Sequence, residues 1–204
     1  TERQEYKIRQ PSSDIWVHFS LPSHIFGRNI ENEKYFRLKD VSLDEIIEAL
    51  SHKGVERIYL YHPKAEKLMK KFKQLIPTIK AGGGIVYNQE GKVLMIKRHG
   101  KWDLPKGKKE KDENIATCAL REVEEETGVK KLLIQRFRMI TYHIFKRDGQ
   151  YFLKETYWYD MTTTFKKKLV PQTEEDIEKA CWKDEAEVRE LVKDSYKNIQ
   201  KLFN

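Results

Sequence analysis

The stretch that most restricts what this chain can become runs from Gly107 to Val129. It opens as a charged loop, Gly107-Lys-Lys-Glu-Lys-Asp-Glu113, and continues through a helix-forming segment that ends Arg121-Glu-Val-Glu-Glu-Glu-Thr-Gly128-Val129. Glu122, Glu125 and Glu126 stand at i, i+3 and i+4, so a helix puts them on one face, where like charges repel by a few tenths of a kcal/mol per pair. A hard divalent cation would offset that repulsion, because such ions take carboxylate oxygens and commonly share them with phosphate. Ala116, Leu120 and Val123 form a second stripe, expected to pack on a sheet and hold the carboxylates outward. Arg121 lies off both stripes and can pair with Glu113, tying loop to helix. Gly128 stands where a left-handed helix end is wanted.

Before this stretch, Lys80-Ala-Gly-Gly-Gly-Ile-Val-Tyr87 reads as a strand opened by glycines, Asn88–Gly91 as a turn, and 92–98 as a second strand of the same hairpin. Adjacent glycines in a strand mark a bulge or a close backbone approach. Residues 100–112 read as loop and 113–127 as helix. Strands over 132–141 and 151–161 follow, joined at Asp148-Gly149. A short buried strand at Cys181-Trp182 and a final helix with Val188, Leu191 and Val192 on one face complete this part.

The first 78 residues read as a small mixed unit. Asp14–Ser20 is a strand. Ser42 caps a helix, with Glu45 completing a capping box and Gly54 ending it. A second strand covers 55–61. Pro63 opens a second helix, with Leu68, Met69, Phe72 and Leu75 buried and Pro77 stopping it. No helix-turn-helix or RNA-binding signature stands out here.

The formal net charge is +8, which concentrates anions near the surface without choosing among them. Residues 1–78 hold 14 Lys and Arg against 11 Asp and Glu, and the remainder 26 against 21, so the excess is spread along the chain. Cys118 and Cys181 match no metal-ligand spacing and are too few for a disulfide framework. They read as core residues in a reducing, cytoplasmic protein. No apolar run reaches the roughly 18 residues that a membrane span needs, and the polar start is unlike a signal peptide.

With these residues in view, Gly107–Val129 resembles the Nudix box: Gly107, Glu113, Arg121, Glu122, Val123, Glu125, Glu126, Gly128 and Val129 match every constrained position. One departure is Asp112, where family members often carry glycine. The resemblance covers residues 79–204 and implies an α+β fold, a Nudix-type α/β/α sandwich with a mixed sheet, here preceded by the small α/β unit at 1–78. It implies hydrolysis of a diphosphate linkage, with Mg2+ (or Mn2+ in its place) held by Glu122, Glu125, Glu126 and the Gly107 carbonyl. In these terms Glu122 would be a ligand, the base, or both, and Arg121 belongs to the catalytic set. Glu174 and Glu175 are candidates for a further base or ligand from beyond the box, and Glu175 is the one carried forward.

Six cations, Lys97, Arg98, Lys101, Lys106, Lys108 and Lys109, crowd the strand end and loop before the box, beside His99. Of these, Arg98, Lys106, Lys108 and Lys97 are expected to bind substrate. The Leu-Pro-Lys-Gly-Lys run resembles members acting on dinucleoside polyphosphates, diphosphoinositol polyphosphates or oxidised nucleoside triphosphates, and the first is the leading expectation. Tyr142, Tyr151, Tyr157 and Trp158 could stack on a base or lie in the core. The expected partner is a phosphate-rich small molecule, with no membrane and no nucleic acid, and a homodimer is compatible. The rival reading is a Nudix-fold regulator that senses a nucleotide without cleaving it.

Overall fold

The computed structural model describes residues 5–10, 13–18, 33–52, 55, 57–62 and 64–203. The chain forms two compact units. The first comprises Thr1–Thr78 together with Tyr142–Lys154, and the second Ile79–Thr141 with Glu155–Asn204. Sequence reading assigned 142–154 to the later part.

Unit 1 is built on strands β1 (Glu5–Gln10), β2 (Ser13–His18), β3 (Glu33–Arg37) and β4 (Arg57–Tyr61), with helices α1 (Leu43–Ser51) and α2 (Ala65–Leu75). The sheet order is β1-β2-β4-β3. β1 and β2 are antiparallel, whereas β4 runs parallel to both β2 and β3. The capping box forms as expected: Ser42 accepts from the Glu45 amide and the Glu45 carboxylate accepts from the Ser42 amide. Ile46, Ile47, Leu50, Ile58, Leu60, Leu68 and Phe72 are buried, while Met69 and Leu75 are half-buried. Helix α2 ends before Pro77, as expected. The roles given to Gly54 and Pro63, and the end of the first strand at Ser20, lie outside the described residues. Leu153 donates its amide to the Pro77 carbonyl at 2.9 Å, and the Lys73 ammonium lies 5.6 Å above the Tyr142 ring. These contacts place the outer part of the late hairpin in unit 1.

Unit 2 contains β5 (Thr78–Tyr87), β6 (Val93–Arg98), β7 (Lys101–Asp103), β8 (Lys106–Lys108), α3 (Ile115–Thr127), β9 (Leu132–Arg147), β10 (Gln150–Thr163), β11 (Ile177–Lys183), α4 (Glu185–Lys193) and α5 (Lys197–Gln200). The outer ends of β9 and β10 reach into unit 1. The seven-stranded sheet has the order β11-β6-β5-β10-β9, with β7 on β6 and β8 on β5.

Alternation along the strands separates two cores. Ile85, Val93, Met95 and Trp158 pack with Val188, Val192 and Ile199 on the α4–α5 face. Val86, Leu94, Tyr159 and Met161 pack with Ala119 and Val123 on the α3 face. The result is the expected α/β/α sandwich.

Two expectations need correction. The loop at 100–112 contains two short strands, β7 and β8, because His99 (φ 50°) and Gly100 (φ 73°) close a tight β6–β7 hairpin and residues 106–108 pair with the glycines of β5. Cys181 and Trp182 are half-buried, since β11 is an edge strand. Asp112 needs no glycine-like geometry, as it is not among the positive-φ residues. Asp148 and Gly149 form the expected two-residue turn, with φ of 50° and 80°.

Candidate active site

The glycines of β5 let α3 approach the sheet. A Cβ on Gly82 would lie 2.6 Å from the Ala119 backbone nitrogen, and one on Gly84 would lie 3.0 Å from Val123. So Gly82 and Gly84 of β5 present no side chain where the helix crosses them. Asn114 caps α3 by accepting from the Thr117 amide at 2.9 Å, and Gly128 ends it with φ 70°.

This close approach turns the acidic face inward. Glu122 is 6% exposed and Glu126 0%, whereas Glu125 is exposed. The stripe expected to pack is displaced correspondingly: Cys118, Ala119 and Val123 are buried, and Ala116 and Leu120 only half-buried. The carboxylates therefore do not all point outward, as the sequence reading had them. Two lie between α3 and β8, where a Cβ on Gly107 would overlap the Glu122 carboxylate. The Cys118 thiol donates to the Gly107 carbonyl at 3.7 Å.

Glu126 accepts from the Lys106 amide through one oxygen at 2.8 Å, and its other oxygen, Oε1, is buried with no hydrogen-bond partner. Burial pushes its carboxyl up to about 7, against the pull of Lys106. Burial also raises Glu122, and Arg121 offsets part of that rise. The charge of Glu175 adds to the upward push on both.

Arg121 organises the loop. It holds Glu113 through two bonds, Nε at 3.1 Å and Nη2 at 2.7 Å, and donates to the Lys108 carbonyl at 3.1 Å. Its Nη1 reaches Glu125 at 2.8 Å and Glu122 at 2.9 Å. Its place is thus that of a positioning residue. Among the described residues, no three His, Cys, Asp or Glu side chains already converge as metal ligands. The donor set nonetheless fits a hard divalent cation: oxygens only, two carboxylates shielded from water, one lone carboxylate oxygen and a backbone carbonyl within the same crevice. A cation bound there would compete with Arg121 for Glu122 and Glu125.

Lys106, expected to bind substrate, is instead withdrawn from solvent. Its ammonium is buried and lies 2.6 Å from Asp103 and 3.3 Å from the Leu104 carbonyl. Burial works against its charge, but Asp103 and Glu126 outweigh that and hold the ammonium above its usual range. It acts as a structural cation behind Glu126. Asp103, missed in the sequence, was legible as an acid three residues before Lys106. Lys108 is exposed and Lys97 lies 3.8 Å from Glu178.

Arg98 ends β6 opposite Ile177 of β11, and its Nη1 is 3.7 Å from Glu175. A 3-10 turn, Thr173–Glu175, thereby holds Glu175 beside Arg98, near enough for its charge to act on Glu122 and Glu126, while Glu174 is exposed. His99 serves as a turn residue, 3.9 Å from Asp176.

Of the proposed stacking rings, Trp158 is fully buried and donates to Thr141, and Tyr142 is buried. Tyr151 lies beneath Lys146. Tyr157 is half-buried on the α3 face, with Tyr159 and the half-exposed Phe137 beside it.

A family model described as NUDIX domain matches residues 78–203. The chain is 30% identical over 147 residues to the mRNA-decapping protein g5R of African swine fever virus (isolate Warthog/Namibia/Wart80/1980), covering 69% of this chain and 52% of that protein. It is 36% identical over 110 residues to the mRNA-decapping enzyme subunit 2 of Arabidopsis thaliana, covering 51% and 28%. The chain spans about half the length of the first of these relatives and less of the second. Among solved structures, the NUDIX domain of Shewanella oneidensis NrtR complexed with ADP ribose matches with a TM-score of 0.51 at 18% identity, covering 69% of this chain and 94% of that one. That last likeness is one of fold.

Proposed function

The chain belongs to the Nudix family, and on that premise we propose that it is a divalent-cation-dependent hydrolase of nucleoside polyphosphates, dinucleoside polyphosphates foremost. The observation that carries the reading is the buried pair Glu122 and Glu126: Glu122 lies against Gly107, and Glu126 Oε1 lacks a hydrogen-bond partner. Two buried carboxylates without a full complement of donors are costly unless a cation joins them. Magnesium is the cation we assign, with manganese as a substitute. Glu122, Glu125, Glu126 and the Gly107 carbonyl would hold it. Once bound, it offsets phosphate charge and makes water more acidic.

The chain's own groups do the rest. Arg121 fixes the loop that carries Gly107. To Glu175, which comes from a separate element and whose charge acts on Glu122 and Glu126, we assign the proton taken from water. Arg98, Lys97 and Lys108 supply positive charge for the phosphates, and Tyr157 with Phe137 supports stacking of a base.

A second reading is favoured by the two similar proteins named for mRNA decapping. A cap is also a nucleoside joined through a polyphosphate bridge, with RNA on its far side, so the same site chemistry would serve. In that case nucleic acid, set aside from the sequence, becomes part of the substrate.

The test is turnover of a panel with magnesium: dinucleoside polyphosphates, nucleotide sugars, ADP-ribose, oxidised dGTP, inositol pyrophosphates and capped RNA. Dinucleoside polyphosphates should turn over fastest, and chelation should abolish release. Glu126→Gln should lower kcat by on the order of 10³, as several kcal/mol of charge stabilisation is lost. Preference for capped RNA would favour the second reading. No turnover of any substrate would overturn both.

A further inference from the structure

Of the six cations before the box, Lys106 is the buried one. It is level with Gly83 in the β5–β8 pair, and a Cβ on that glycine would lie 2.6 Å from the Lys106 Cβ. The lysine stem is therefore seated on bare backbone. An ammonium has three donors. Two of them go to Asp103 Oδ2 at 2.6 Å and to the Leu104 carbonyl at 3.3 Å. Asp103 is itself pinned. Pairing of β7 with β6 sets it level with Ile96, and its other oxygen accepts from the Leu104 amide at 2.8 Å. A second acid lies near. Glu126 accepts the Lys106 amide through Oε2 at 2.8 Å, and the charges of Asp103 and Glu126 both favour the ammonium. The ammonium nonetheless leaves Glu126 Oε1 alone, and that oxygen is buried without a hydrogen-bond partner.

We propose that Asp103 is a positioning residue for cation binding: it holds the Lys106 ammonium away from Glu126 and so keeps Glu126 Oε1 open to the divalent cation. The proposal rests on the cation site assigned above. A buried ammonium that meets neither water nor an anion is costly, so it turns to a carboxylate within reach. Its charge is compact and its stem flexible, which lets it change partners. A carboxylate oxygen committed to an ammonium is offered less well to a metal. Asp103 removes that contest, because it stands three residues before Lys106 and already holds the ammonium at short range. Without the Asp103 charge, the carboxylate left to the ammonium is Glu126. Lys106 thus meets Glu126 through its backbone, which orients the carboxylate, while Asp103 keeps the side chain of the same residue from blocking it.

The test is Mn2+ binding by the full chain without substrate, so turnover plays no part. Loss of the free-ion signal in electron paramagnetic resonance reports the bound fraction. Asp103→Asn keeps the shape and one acceptor but removes the charge, and should weaken Mn2+ binding about tenfold. Asp103→Asn combined with Lys106→Met should bind Mn2+ as the parent does, because the competing ammonium has gone as well. A merely structural role for Asp103 predicts no such rescue, since the double variant loses the whole pair. Equal weakening in the single and double variants would therefore overturn the proposal. Glu126→Gln is the reference for the cation site and should bind poorly. Parent-like binding by Glu126→Gln would put the ion elsewhere and overturn site and proposal together, as would a parent that binds no Mn2+. Poor binding by Glu126→Gln with parent-like binding by Asp103→Asn would overturn the proposal alone and leave the cation site standing. Should Asp103→Asn fail to fold, the double variant decides, because neither buried charge of the pair remains in it. An affinity about tenfold below the parent's in that variant would overturn the proposal.

Discussion

Glu113 and Glu126 flank Arg121 on one loop and helix, yet their carboxyls behave in opposite ways. Arg121 grips Glu113 with two bonds and holds it down at about 2, against the opposing effect of burial. Glu126 has only one backbone donor, and burial lifts it to about 7. The first is a structural anion that wants to stay charged, and the second is a carboxylate whose charge the fold leaves under-compensated. For Glu113 the folded value lies below the ordinary 4.5, so its contribution to stability is complete above that value and is lost as pH falls towards 2. The melting temperatures of the parent and Glu113→Gln should therefore differ by a constant amount above about pH 5, and the gap should narrow steadily below it. A gap that stayed constant down to about pH 3 would show that Arg121 does not hold Glu113 in this way.

At the scale of elements, the contact between α3 and β5 decides whether the site exists. Gly82 meets the helix backbone itself, at the Ala119 nitrogen and Cα and the Ile115 carbonyl, and backbone cannot rotate away as a side chain can. Gly82→Ala should therefore push α3 off the sheet and carry Glu122 and Glu126 with it. A shift of about 1 Å in reacting groups can cost around 10²-fold in rate, so activity should fall at least that far along with the melting temperature. Gly91→Ala is the control. It meets nothing within 4 Å but has φ of 76°, so it should lower stability slightly and leave turnover alone. Equal turnover in the parent and Gly82→Ala would mean that the glycine does not set the helix position.

At the scale of the molecule, the two compact units do not follow a single cut in the chain. Tyr142, Ile144 and Leu153 are buried residues of the segment that belongs with 1–78. Removing residues 1–78 should leave unit 2 folded around its two cores, but with these three residues exposed. The truncated chain should bind a hydrophobic dye and self-associate, and replacing the three with serine should reverse both. A truncated chain that is monomeric and dye-free without those replacements would show that the hairpin end needs no cover from residues 1–78.

The local elements were readable because their causes are local. The Ser42–Glu45 capping box, the Asp148-Gly149 turn and the Gly128 helix end each depend on residues a few positions apart, and the Arg121–Glu113 pair on a loop and the helix that directly follows it. The acidic i, i+3, i+4 cluster and the Gly107–Val129 spacing likewise placed the candidate site in the chain before any fold was known. What the sequence could not express is which way a helix faces. The same three glutamates serve an exposed acidic face or a buried one, and the glycines of β5, some forty residues away, let α3 settle until Glu122 and Glu126 lay inside. Lys106 is a similar case. In one dimension it is one of six clustered cations, and only the β7–β8 fold brings Asp103 against it and removes it from solvent. Glu175 comes beside Arg98 through the pairing of β11 with β6, a contact between segments far apart in sequence. Residue types, caps, turns and motif spacing belong to the sequence. Burial, facing and pairing between distant segments are decided by tertiary structure, because they depend on what packs on the other side.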